Sequence, residues 1–171
     1  VNCIRYAVRH RRADGWMPDR VTTDGLAVYA AGIAAAPVGE ANLDNTPFLI
    51  FTVDSLSRRM DPEAFLPLFT EWEADLEQGL FLLPLEEHGL VYNDVQNPHS
   101  PYGFTDTIGK TGTLYMESLL YWRACRMMER MCKTYGIKNP DRFAKAAESV
   151  ERSLSLLFDP AAGAFYAATK D

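Results

Sequence analysis

The sequence predicts an all-α chain of antiparallel helical hairpins. Two observations carry that expectation: four apolar segments with helical periodicity, and the alternating lengths of the connections between them. The segments run buried, surface, buried, surface, and the links run short from buried to surface and long from surface to buried. Antiparallel pairs joined by short links gather every long connection at one end. With 171 residues, 47% of them hydrophobic and 23% charged, the composition suits one globular domain over 1–171, about two hairpins plus flanking pieces.

Val1 to about Arg11 reads as the last turns of a helix, with Arg9, Arg11 and Arg12 suited to its C-terminus. A long glycine-rich connection follows, from Ala13 to Asn45. Thr46-Pro47 then starts a helix, with threonine as N-cap and proline at the first helical position. Phe48, Leu49, Ile50, Phe51, Val53 and Leu56 make it apolar nearly all round, which predicts burial on most sides. Asp61-Pro62 repeats the start signal, and Phe65, Phe69, Trp72, Leu76 and Leu80 recur opposite Glu63, Glu71, Glu73 and Glu77. That is a one-sided surface helix. Residues 113 to 135 form the most apolar helix, stopped by Gly136. Asn139-Pro140 opens the next, where Phe143, Ala147, Val150, Leu154 and Leu157 hold one face. Asp159 to Tyr166 reads as a turn and a short extended piece. Glycine followed shortly by tyrosine recurs in each long connection (Gly25 with Tyr29, Gly89 with Tyr92, Gly163 with Tyr166), which suggests a repeated helical hairpin.

The composition excludes some functions. A net charge of −6 leaves no basic stripe for nucleic acid or an anionic membrane. No apolar run approaches the roughly 20 residues of a membrane span. The three cysteines give no disulfide framework. Cys125 and Cys132, seven apart on one helix, stand about 10 Å apart, beyond disulfide reach. Free thiols favour a reducing, cytoplasmic compartment. Val1 to Tyr6 resembles neither an initiator methionine nor a signal peptide, so the expectation is a fragment of a larger protein. Its partner is then the remainder of that protein or a second copy, and made alone it is expected to oligomerise.

The chemistry concentrates between Gly89 and Gly112, which hold Asp94, His99 and Asp106 among aromatics and glycines. Gly109-Lys110-Thr111 ends like a phosphate loop. The motif needs four residues between its glycines, whereas five separate Gly103 from Gly109, and Asp106 repels phosphate. Asp94, His99 and Asp106 lack the close spacing of metal ligands, so no metal or cofactor is implied. Several of these residues also have a plain structural reading. Asp94 after Asn93 forms a turn, His99 packs a proline-rich loop, and Asp106 caps the following helix. Trp16, Tyr92, Tyr102 and Phe104 either pack loops or stack on a sugar ring.

A surface helix, Gly-Leu-Val-Tyr, an aromatic loop with acids and Lys-Thr-Gly opening a buried helix together resemble the six-hairpin glycosidases. The stretch from Gly112 to Tyr166, ending in Leu-Phe-Asp-Pro-Ala-Ala-Gly-Ala-Phe, is similar to a hairpin of those enzymes. The resemblance spans most of the chain. It implies part of an (α/α)6 toroid and an inverting, exo-acting glycoside hydrolase with a carbohydrate substrate. Trehalases and processing α-glucosidases in that group carry their general acid in a Glu-Ser-Gly-aromatic-Asp motif. Tyr102-Gly103-Phe104-Thr105-Asp106 is similar, but it lacks the glutamate and inserts Thr105. The resemblance thus implies Asp106 as general acid, with Asp94 as fallback, and Trp16, Asp19, Asp44 and Asn45 in loops lining the sugar pocket. Tyr92, His99, Tyr102, Phe104 and Lys110 join them as substrate-binding candidates. Glycosidic cleavage needs a second carboxylate as base, which the family takes from a later hairpin. The alternative reading is a non-catalytic carbohydrate-binding or scaffold domain, because no second catalytic carboxylate is evident after residue 112. An epimerase needs paired histidines, and three scattered ones argue against it.

Overall fold

A computed structural model of the chain describes residues 1–33, 36–37, 39–101, 109–137 and 139–170, and five α-helices among them carry the architecture. Helix α1 is Asn2–Arg9 and α2 is Asn45–Ser57. The N-cap of α2 is Asp44 rather than the expected Thr46. Asp44 holds that position without a side-chain cap hydrogen bond, and the start two residues earlier moves Pro47 from the first helical position to the third, where its missing N–H is still not needed. The helix is also less enclosed than its composition suggests. Ile50 and Val53 are inaccessible, but Phe48 is 42% exposed. Helix α3, Pro62–Phe81, begins as read, with Asp61 Oδ1 accepting the Glu63 N–H at 2.9 Å. All five of its periodic residues, Phe65 to Leu80, are inaccessible. Helix α4, Tyr115–Tyr135, ends at Gly136 in the left-handed region at φ 68. Helix α5, Pro140–Ser153, passes into a 3-10 turn, Leu154–Leu157, which carries its apolar face on to Leu157. No helix among the described residues is long and apolar enough to cross a membrane.

Helices α2 and α4 run in the same direction. Near their C-terminal ends Arg130 binds Asp54 and Ser57, and Tyr135 Oη donates to the Ser57 carbonyl at 3.4 Å. At the other ends Asp44 acts electrostatically on Glu117. Helix α5 turns back along α4, where Glu151 accepts from Trp122 and Arg126. Helix α1 leans on α3 through Arg5 and Arg9 with Glu71, and Arg11 with Asp75.

The chain is not all-α, and the expected part of an (α/α)6 toroid is overturned with that class. It is a mixed α/β structure. Among the described residues, short strands form three two-stranded pairs and one three-stranded sheet. The pairs are β1 (Arg20–Val21) with β2 (Ala27–Val28), β3 (Gly32–Ile33) with β4 (Ala36–Pro37), and β7 (Phe158–Asp159) with β8 (Ala164–Phe165). The sheet joins β5 (Tyr92–Asn93), β6 (Thr111–Leu114) and β9 (Ala168–Lys170), with β6 in the middle. The physical reason lies in the long connections. Packed against the helix ends, their peptide groups need partners, and antiparallel ladders supply them. The glycine–tyrosine recurrence belongs to these ladders. Gly25, Gly89 and Gly163 have φ of 87, 89 and 65. Each turns the chain between two antiparallel segments, Val21 with Ala27, Leu85 with Val91, and Asp159 with Ala164. It therefore marks a repeated turn, not a repeated helical unit.

Candidate functional site

The three long connections meet at the N-terminal ends of α2 and α4. The first two are stitched by a bridge between Asn42 and Ser100, with Leu43 N–H donating to the Ser100 carbonyl at 3.0 Å and Ser100 N–H to the Ala41 carbonyl at 3.1 Å. The third arrives as β9 beside β6, where Thr169 Oγ1 accepts the Thr113 N–H at 2.8 Å. Asn93, fully buried, holds the base of the central loop. Its Nδ2 donates to the carbonyls of His99 at 2.9 Å and Lys110 at 2.7 Å, and its Oδ1 accepts the His99 N–H at 2.8 Å. One side chain thus fixes both ends of the segment that contains residues 102–108.

Two carboxyl groups are buried at this end of the molecule: Asp44, 4% exposed at the start of α2, and Glu117, 1% exposed in the first turn of α4. Among the described residues, neither oxygen of Glu117 has a hydrogen-bond partner. Burial pushes its pKa up to about 7; its own backbone N–H and Lys110 pull it down, and Asp44 pushes it further up. Among the described residues, the buried Thr111 Oγ1 and His99 Nδ1 also lack partners, as does Thr46 Oγ1, which lies against Gly79 of α3. Burial, assisted by Arg12 and opposed by Glu40, holds the His99 pKa below its ordinary value, so the ring is neutral near pH 7. A carboxyl poised near neutrality beside a second acid is a proton-exchanging arrangement. The N–H groups at two helix N-termini favour oxygen-bearing ligands.

The residues expected to bind substrate divide into packing, network and face. Trp16 is buried, its ring 5.0 Å from that of His99. It packs the connection instead of offering a free stacking surface. Asp19 and Asn45 belong to a network centred on Asn42, which donates to Asp19 Oδ1 at 2.7 Å and to Asn45 Oδ1 at 3.2 Å. Asn45 donates to the Met17 and Tyr29 carbonyls. Asp19 also lines a cavity of about 410 Å³ against α1. Tyr92 is half-buried and borders a different pocket with Glu86 and His88. Asp94 is exposed, and its Oδ1 accepts the Gln96 N–H at 2.7 Å, the local turn that is its structural reading. Asp44, His99 and Lys110 lie at the convergence of the connections. Tyr102, Phe104 and Asp106 lie outside the described residues.

Sequence reasoning missed Glu117, Asn93, Thr111 and the central role of Asn42. One signal was present: Glu117 interrupts Thr-Leu-Tyr-Met-Glu-Ser-Leu-Leu-Tyr, an otherwise uncharged run. It is a carboxyl after residue 112, where none was evident. Compared with known proteins, the chain matches no family model, no curated sequence and no solved structure.

Proposed function

We propose that this chain supplies the acid-bearing face of a glycoside hydrolase, with the sugar held over the N-terminal ends of α2 and α4. The observation that carries the reading is the presence of two buried carboxyls, Asp44 and Glu117, at the end where the three long connections converge. Glycoside hydrolysis runs on a carboxyl pair, one group protonating the leaving oxygen and the other activating water or attacking directly. The unmatched atoms of Glu117, Thr111 and His99, all in or beside these connections, suit a ligand rich in hydroxyls. Asp106 is the general acid in this proposal, as the resemblance implies, and Asn93 anchors its segment at both ends.

Activity on a panel of oligosaccharides and aryl glycosides tests this in the intact protein. Asp106→Asn is expected to lower kcat by about 10²–10⁴ with little change in KM. Near-normal turnover moves the role to Asp94. Calorimetric sugar binding by the wild type with no hydrolysis favours the non-catalytic carbohydrate-binding reading.

A further inference from the structure

The geometry points to Glu117 as a second ligand-contacting group: a buried carboxyl whose protonated form donates its O–H to an oxygen of a neutral, hydroxyl-rich ligand at the N-terminal ends of α2 and α4. The inference rests on the sugar reading above and adds a residue and a charge state to it. Glu117 is 1% exposed, and neither of its oxygens has a partner among the described residues. A carboxylate removed from water is expensive when only its own backbone N–H and the Lys110 charge favour it, and the uncharged acid relieves most of that expense. The uncharged acid still has one donor and one acceptor to satisfy. Thr111, 8% exposed with its hydroxyl also unmatched, offers the same pair of functions nearby in sequence. A sugar hydroxyl, donor and acceptor at once, answers both.

Two charged groups bear on Glu117, Asp44 from the start of α2 and Lys110 from the segment leading into β6, and their effects oppose each other. Burial therefore decides the charge state. It also selects the ligand. A cation would draw Glu117 into its ionised form beside Asp44, whereas a neutral ligand leaves the proton in place. Because the oxygens are covered, the ligand oxygen they meet leaves water, and a hydrogen bond made there is stronger than one at the surface.

The test measures binding to the intact protein between pH 5 and 9 by calorimetry. The probes are the neutral methyl glycosides of the common hexoses, with cationic 1-deoxynojirimycin as contrast. Wild-type affinity for the bound glycoside is expected to be flat to about pH 6 and to fall up to about tenfold per unit above pH 7. Glu117→Gln, which mimics the uncharged acid, is expected to bind within a few-fold of the wild type with no pH dependence over that range. Glu117→Ala should lose about tenfold or more throughout. Carbon-13 spectra of labelled glutamate give an independent readout that needs no variant other than an assignment control, and a Glu117 carboxyl already ionised at pH 6 overturns the inference. So does Glu117→Gln binding as weakly as Glu117→Ala, or 1-deoxynojirimycin binding more tightly as Glu117 ionises. A wild type that hydrolyses sugars but binds them with a flat profile overturns the inference and leaves the sugar reading standing. A wild type that binds no glycoside at any pH overturns both.

Discussion

At Glu117, burial and charge oppose each other, and the conflict sets a pH dependence of stability. Its folded pKa of about 7 lies above the ordinary glutamate value of 4.5, so the folded state holds the proton more tightly through that window. Its contribution to stability is fully present below about pH 4.5 and is lost as pH rises through 7. The loss is complete above that and amounts to roughly 3 kcal/mol. Glu117→Gln removes the ionisable group. It is expected to raise the unfolding free energy at pH 8 by up to roughly 3 kcal/mol and at pH 5 by less than about 1 kcal/mol. Urea denaturation at the two pH values checks this; equal gains at both would refute the assigned cause. The sequence showed the acid within an apolar run but not its burial. Burial depends on α2 lying alongside α4, and no residue near Glu117 encodes that contact. Asp44 was named only through the resemblance, and its burial at the start of α2 emerged only in the structure.

The helices were read from the sequence to within a few residues because a 3.6-residue period leaves a trace over three or more turns. The face of α3 and the glycine stop of α4 are the clearest cases. The strands were not read, since pairs such as Arg20–Val21 and Ala27–Val28 are too short to show an alternation. Their only trace was the glycine–tyrosine spacing, and it was assigned to the wrong kind of element. Asn93 was equally hidden, because a buried amide that bonds 6 and 17 residues ahead has no local signature. Its removal has a definite expected effect. Asn93→Ala leaves two carbonyls and the His99 N–H without their partner and should cost about 2–3 kcal/mol. Chemical denaturation measures the loss, and hydrogen exchange should accelerate first at the His99 amide. Unchanged protection at that amide would mean that Asn93 does not hold the loop base.

Across the whole molecule, the direction shared by α2 and α4 is secured at one end and put to use at the other. Asp54, with its side chain 4% exposed, binds Arg130 at the far end from the convergent connections. Arg130 is 35% exposed, so losing the pair should fall short of the 3–5 kcal/mol typical of a fully buried one. Asp54→Ala is expected to cost about 2 kcal/mol and to lower Tm by several degrees in calorimetry. The same variant should leave the charge state of Glu117 as it was, because the two sites stand at opposite ends of α2. The convergence of long connections at one end was legible from the alternation of link lengths. The all-α class failed because those connections pair with one another. The Asn93 clamp has a further consequence. One buried amide holds positions 99 and 110 against the same base, so a single substitution at position 93 releases both ends of the loop together rather than one after the other.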